Sequence, residues 1–274
     1  MLIAVLFAVF AAWVLWANKA LEITEYGVQS EKIPETFDGF RIAQISDLHN
    51  DSFGENNRKL LDLLRETGPD IIVITGDLVD SRRTDMEIGL DFARRALGIA
   101  PVYYVPGNHE SRLTEYEGFK QDLINAGIVV LDNRKVLLTR ESQSFTLMGV
   151  NDTHFWDDWP PVDDDVDIYN AISQIQEASD GYTVLLSHRP DLMGAYVQSG
   201  VDIVLSGHAH GGQFRIPFVG GLFAPDQGLF PKYDAGRFDH GDTTLIVSRG
   251  LGASVIPFRI NNRPEIVVVT LHHE

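Results

Sequence analysis

The stretch RIAQISDLH, residues 41–49, runs from a short apolar strand-like segment into a turn that carries an aspartate and a histidine two positions apart. Five apolar or β-favouring residues closed by Ser read as a buried strand. Asp47 and His49 share one side of an extended chain, because residues i and i+2 point the same way. The same grammar returns four times downstream. Residues 71–75 are followed by Gly76-Asp77-Leu78, and 102–105 by Gly107-Asn108-His109-Glu110. Residues 182–186 are followed by Ser187-His188, and 202–205 by Gly207-His208-Ala209-His210. Five clusters of ligand-type side chains thus fall at carboxyl ends of strands, the edge where open α/β sheets place their sites. Gly or Ser in each turn lets the backbone bend sharply there.

Working outward, further β-rich runs lie at 145–150, 244–247 and 266–271, and helix-like stretches at 57–65, 85–97, 116–126 and 168–178. The alternation predicts an α/β fold. The later strands have less helix between them, so a mixed or two-sheet core is expected in place of one parallel sheet. No tract of low complexity or fixed-period repeat divides the chain, so residues 30–274 read as one catalytic domain.

Residues 1–17 are uncharged and overwhelmingly apolar, and Trp13, Trp16, Asn18 and Lys19 close the run. As a helix these residues rise about 25 Å, and Ala20 and Leu21 narrow the gap to a hydrocarbon core of about 30 Å. The tryptophans suit a membrane interface and no small-residue cleavage site follows. Residues 1–21 are therefore predicted to form an uncleaved single-pass transmembrane helix that anchors the chain to the cell membrane. Lys19 alone does not assign the side.

The formal net charge is −17 and no Lys/Arg-rich run offsets it. No nucleic-acid-binding surface is expected, because phosphate backbones are repelled. A small phosphate ester meets the same repulsion unless bound cations reverse the local field. The chain has no cysteine, which excludes disulfides, thiolate metal sites and Cys nucleophiles, so any metal is held by nitrogen and oxygen.

Taken singly, each cluster has a plain structural explanation. Asp47 or Asp77 can cap a helix, His188 can be a satisfied core histidine, and Asn108 can occupy a turn with positive φ. No capping or turn argument produces five such clusters in order at strand ends. Asp47, His49, Asp77, Asn108, His188, His208 and His210 are therefore the candidate metal ligands, enough for two ions if one carboxylate bridges. Carboxylate and carboxamide oxygens mixed with imidazole nitrogens suit divalent or trivalent Mn, Fe, Zn or Co better than Mg. Two such ions can activate a shared water, which makes a metal-bridging hydroxide the expected nucleophile. No G-x-S-x-G elbow, cysteine or P-loop offers another. His109, beside Asn108, is the candidate proton donor to the leaving oxygen.

The ordered set D-x-H, G-D, G-N-H-[DE], His and G-H-x-H resembles the calcineurin-like metallophosphoesterase superfamily over about residues 41–210. The continuation His210-Gly-Gly-Gln213 and the apolar N-terminus resemble its bacterial membrane-associated branch, which includes UDP-diacylglucosamine pyrophosphatase-like enzymes. The resemblance implies two mixed β-sheets packed face to face and flanked by helices, a four-layer αββα sandwich. It also implies one ion on Asp47, His49, Asp77 and His210, and a second on Asp77, Asn108, His188 and His208. The implied activity is that of a metal-dependent phosphodiesterase, phosphatase or pyrophosphatase on a small phosphoester, including lipid-linked and nucleotide-sugar substrates. The alternative is a non-catalytic, membrane-tethered metal-binding or scaffold module of the same fold.

Three features carry no assignment. Arg215 with Gly211 and Gly212 can meet a phosphate. Residues 218–223, Phe-Val-Gly-Gly-Leu-Phe, read as an apolar lip or, more plainly, as a buried hairpin. Asp152 and His154 either join the site or face solvent.

Overall fold

Short strands whose two faces are both apolar must be covered on both sides, and that requirement layers this molecule. The computed structural model describes residues 1–155, 164–177, 181–253 and 256–274. In chain order it contains α1 (Leu2–Ala17), β1 (Glu22–Ser30), β2 (Phe40–Ile45), α2 (Arg58–Glu66), β3 (Ile71–Thr75), α3 (Met86–Ala96), β4 (Val102–Val105) and α4 (Tyr116–Ala126). There follow β5 (Val129–Val130), β6 (Arg134–Arg140), β7 (Gln143–Gly149), α5 (Asp164–Gln176), β8 (Thr183–Leu186), α6 (Met193–Ser199) and β9 (Ile203–Ser206). Two small hairpins come next, β10 (Arg215–Ile216) with β11 (Gly220–Gly221), and β12 (Phe223–Ala224) with β13 (Gly228–Leu229). The chain ends with β14 (Gly236–His240), β15 (Thr243–Val247) and β16 (Glu265–His273).

Two six-stranded sheets result, ordered β1-β16-β2-β3-β4-β5 and β14-β15-β9-β8-β7-β6. Both are mixed. β2, β3, β4 and β5 run parallel while β16 is antiparallel to β2, and β7, β8, β9 and β15 run parallel between the antiparallel edges β6 and β14. Alternate side chains sort into layers. Ile42, Ile71, Val73 and Val269 of the first sheet meet Phe145, Leu147, Val184 and Leu205 of the second in one core. Their neighbours Ala43, Ile45, Ile72 and Ile74 turn the other way and pack beneath α2, α3 and α4. On the far side Met148, Leu185 and Val204 are covered by α5 and α6. This is the expected αββα arrangement.

Every predicted helix and strand has a counterpart, with end shifts of a few residues; the last position of the 168–178 helix, Ala178, lies outside the described residues. The strands absent from the sequence reading are edge or hairpin strands. β1 and β14 alternate partly buried and exposed positions, so their composition is too polar to show as a β-rich run.

The N-terminal expectation is corrected. No helix among the described residues is long and apolar enough to cross a membrane. α1 has 16 residues, about 24 Å of rise against a core of about 30 Å. Asn18 stops it. The Asn18 amide donates to the carbonyls of Val14 (2.7 Å) and Arg259 (2.9 Å), and its oxygen accepts the Arg259 N–H (2.7 Å). Arg263 then donates to the carbonyls of Ala20 and Leu21, so the residues needed to lengthen the helix lead into β1 instead.

The two sheets are stitched directly below the strand ends. Gln44 Nε2 on β2 donates to Thr75 Oγ1 and, across the sandwich, to the Ser206 carbonyl, both at 2.9 Å. At the opposite end Phe145 packs edge-on against Phe37 and Phe40, with centroids 4.9 and 5.6 Å apart. Phe145 is fully buried, so Phe145→Ala is expected to destabilise the chain by about 3–5 kcal/mol, read as a fall in the urea midpoint at unchanged m-value.

Candidate metal centre

The carboxyl ends of β2, β3, β4, β8 and β9 open onto one edge of the sandwich, and all seven candidate ligands converge there. Ligand atoms of Asp47, His49, Asp77 and His210 lie within 4.8 Å of one another, and those of Asp77, His188 and His208 form a second such group. Asp77 belongs to both. In the first group His49 Nε2 is 3.2 Å from His210 Nε2 and 3.4 Å from Asp77 Oδ2, while His210 Nε2 is 3.5 Å from Asp47 Oδ1. In the second, His188 Nε2 is 3.3 Å from Asp77 Oδ2, 3.2 Å from Asn108 Oδ1 and 3.2 Å from His208 Nδ1. An ion bound at about 2.0–2.2 Å sets its ligand atoms about 3.0–3.5 Å apart, so both groups have the right edge length.

The backbone is bent to achieve this. Asp47, His49, Asp77, His208 and His210 all have φ between 49° and 64°, a left-handed region that costs about 1–3 kcal/mol for residues other than glycine. Glycines let the turns close around the carboxylates. A Cβ on Gly207 would stand 1.9 Å from Ser46 Oγ and 2.3 Å from Asp47 Oδ2, and one on Gly107 would stand 2.3 Å from Asp77 Oδ1.

Electrostatically the site asks for cations. Asp47 and Asp77 are buried, and among the described residues neither pairs with Lys or Arg. Burial pushes the Asp47 carboxyl up. Burial also acts on Asp77, but the adjacent His188 and His49 more than offset it and hold that carboxyl well below the usual range. Burial drives His49 down to about 3 and His210 well below its ordinary value, which keeps both rings neutral, the state in which an imidazole can ligate a metal. His188 is the exception: burial opposes its charge, yet Asp77 and Asp47 push it up to about 10. Two buried carboxylates ringed by imidazoles, with His49 and His210 held neutral, fit divalent metal ions, and Asp77 belongs to both ligand groups.

Outer partners aim the imidazoles. His188 Nδ1 donates to the Thr75 carbonyl at 2.8 Å, leaving Nε2 to face the cluster. His208 Nε2 donates to Asp226 at 2.8 Å, leaving Nδ1 to face it, the arrangement in which a carboxylate fixes tautomer and ring angle. Buried Arg189 bridges Asp226 (2.7 Å) and Asp152 (2.7 Å), and Asp152 in turn accepts from His154. Asp152 and His154 thus belong to the shell behind His208. Arg259, buried, stands 3.2 Å from His210 Nδ1 and donates to the carbonyls of Arg249 and Gly252. Arg215 faces elsewhere, held by Asp234 at 2.9 Å and the Gly211 carbonyl at 3.0 Å.

Glu110 ties two of the turns together. It accepts the backbone N–H groups of Asp77 (2.9 Å), Val79 (2.9 Å) and Gly107 (2.8 Å), although burial and nearby Asp77 raise its pKa to about 7. His109 lies beside the first group, its ring edge-on to His49 at 4.5 Å. Its Nδ1 accepts the Ser81 N–H at 3.1 Å. Sequence reading missed Asp226, Arg189 and Arg259, which sit in no strand-end motif apart from the adjacency of Arg189 to His188.

Gly207→Ala is expected to displace Asp47 and to abolish whatever divalent-cation binding the wild-type chain shows in calorimetric titration against Mn²⁺, Zn²⁺ and Co²⁺. Gly118→Ala in α4, where an added Cβ meets nothing within 4 Å, leaves binding intact and stability unchanged or improved.

Residues 40–212 match the family described as calcineurin-like phosphoesterase. The chain is 30% identical to an uncharacterized metallophosphoesterase, YkuE of Bacillus subtilis, over 92% of its own length and 85% of the relative's. It is 28% identical to the phosphodiesterase YaeI of Escherichia coli, over 85% of this chain and 82% of that one. TT1561 of Thermus thermophilus shares the fold with a TM-score of 0.54 at 14% identity, covering 77% of this chain and 90% of that structure. The strand-end ligand turns lie inside the matched span, and the chain belongs to the calcineurin-like phosphoesterase family of metal-dependent phosphoric ester hydrolases.

Proposed function

We propose that the chain hydrolyses a phosphodiester or pyrophosphate with two metal ions, one held by Asp47, His49, Asp77 and His210 and the other by Asp77, Asn108, His188 and His208. The observation that carries this reading is the membership of Asp77 in both ligand groups. Two cations held there would supply Lewis-acid activation of water and positive charge facing the phosphoryl oxygens. They also give an anionic ester a place to dock on a chain of net charge −17. The mixed oxygen and nitrogen donors favour Mn, Fe, Zn or Co over Mg.

His109 is the proton donor in this scheme. An Nδ1 that accepts from the Ser81 N–H leaves the proton of the neutral ring on Nε2. The ring stands against His49, with which it and Asp80 form a further group of ligand-type atoms, and in this scheme its Nε2 proton goes to the leaving oxygen.

The continuation His210-Gly-Gly-Gln213 and the apolar α1 support a narrower reading, a lipid-linked or nucleotide-sugar pyrophosphate presented at a membrane. α1 carries exposed apolar side chains at Leu2, Ile3, Val5, Phe7 and Leu15. Steps of about 100° per residue spread these around the whole helix. A helix apolar on every side is covered by lipid or by a protein core, and no core covers this one among the described residues. We place the chain at the membrane through α1, seated in one face of the bilayer. A scaffold without catalysis is the competing function; the complete ligand set argues against it.

Purified protein is expected to hydrolyse bis-p-nitrophenyl phosphate only with added Mn²⁺ or a similar ion, and to lose turnover in EDTA. Mn²⁺ should also raise the melting temperature, since an ion at one hundred times its Kd stabilises the folded state by about 2.7 kcal/mol. Absence of turnover with every metal on monoesters, diesters and pyrophosphates would sink the enzymatic reading. His109→Ala is expected to retain both ions by metal analysis and lose about 10²–10⁴-fold in kcat; wild-type kcat in that variant removes His109 from the chemistry.

A further inference from the structure

The two hairpins that follow His210 expose large apolar side chains that the core does not need. Phe218 at the tip of the β10–β11 hairpin is 109% exposed and Val219 62%. On the β12–β13 hairpin Leu229 is 68% and Phe230 60% exposed. The plainer sequence reading of this segment, a buried hairpin, is therefore not what the fold produces. Exposed apolar residues scattered singly need no explanation, but a set concentrated on two neighbouring loop tips does.

These tips are joined to the root of α1 through the chain. Asn18, at the end of α1, is bonded in both directions to the backbone of Arg259. The neighbouring Phe258 is itself partly exposed and packs against Phe214, with ring centroids 5.6 Å apart. The Arg215 N–H donates to the Ile260 carbonyl at 3.0 Å, which ties the start of β10 to the same segment. The second hairpin is joined to the metal centre, because Asp226 in its turn accepts from His208. α1 is thus tied to the β10–β11 hairpin and the metal centre to the β12–β13 hairpin, and the two hairpins are joined where the Phe230 N–H donates to the Leu222 carbonyl at 2.9 Å.

We propose that the β10–β11 and β12–β13 hairpins form a bilayer-docking lip, which with α1 holds the mouth of the metal centre at the lipid surface. The proposal deepens the reading of α1 as a membrane-seated helix and rests on it. Lipid is the occupant the observations favour. A protein partner would cover one side of α1, whereas its apolar side chains stand on every side, and the lip is continuous with its root. Trp13 and Trp16 near the end of α1, with Arg263 over the Trp16 ring at 5.4 Å, suit the headgroup level.

The native chain contains no cysteine, so one introduced thiol can be labelled uniquely. Phe218→Cys, Leu229→Cys and, as a control, Asp242→Cys carry an environment-sensitive fluorophore in the full chain. Asp242 is exposed and precedes β15, at the strand end remote from the metal centre. Each protein is mixed with phosphatidylcholine vesicles, plain or with brominated acyl chains. Emission from positions 218 and 229 is expected to shift to the blue and be quenched by the brominated lipid, while position 242 stays accessible to aqueous iodide. Equal iodide quenching at all three positions, with the protein sedimenting on the vesicles, overturns the lip and leaves the α1 reading standing. Failure to sediment overturns both, and neither result touches Mn²⁺-dependent hydrolysis measured on the soluble diester.

Discussion

The carboxylate of Asp77 is the point on which the site depends. Its Oδ2 stands 3.4 Å from His49 Nε2 and 3.3 Å from His188 Nε2, and its Oδ1 accepts the His109 N–H at 2.9 Å. A carboxylate so buried is held ionised by positive or polarised neighbours, and the residues around it supply that condition from several directions. Glu110 fixes the turn on which Asp77 sits by gathering three backbone N–H groups. Gly107 leaves the space its oxygen occupies, and the left-handed φ of 52° at Asp77 turns the side chain off the end of β3. These features serve the metal centre more than the stability of the apo chain, where two neighbouring buried carboxylates repel each other.

The sandwich makes that convergence affordable. Parallel neighbours within each sheet bring the ends of β2, β3 and β4 together, and likewise those of β8, β9 and β15. Packing the two sheets face to face, with Gln44 bonded across them, sets the two rows of turns against each other. One sheet then contributes Asp47, His49, Asp77 and Asn108, and the other His188, His208 and His210. The strain of five left-handed residues is concentrated on this rim, where bound cations would offset it, and the mostly apolar strands below carry none.

A polar, metal-seeking rim lies beside an unusually apolar border. The segment 256–263 serves both, with Arg259 standing behind His210 while its backbone holds Asn18 of α1. The hairpin that brings Asp226 to His208 also exposes Leu229 and Phe230. The placing of ligands and the display of exposed apolar side chains are thus built from the same loops, which constrains how far either can change alone.

Much of this was legible in the chain itself. The β-rich runs and their closing turns determined the α/β class and the seven ligand candidates, because a strand that must be buried on both faces shows as an apolar run and its ligand turn directly follows. The edge strands β1 and β14 were not legible, since one face of each stays partly wet. The length of α1 was decided by tertiary contacts, Asn18 with Arg259 and Arg263 with Ala20 and Leu21, between residues more than two hundred positions apart. Asp226, Arg189 and Arg259 likewise became neighbours of the ligands only through long-range packing. Sequence periodicity reports which side of an element is buried; which distant residue meets it there is settled by the way the sheets and loops close on one another.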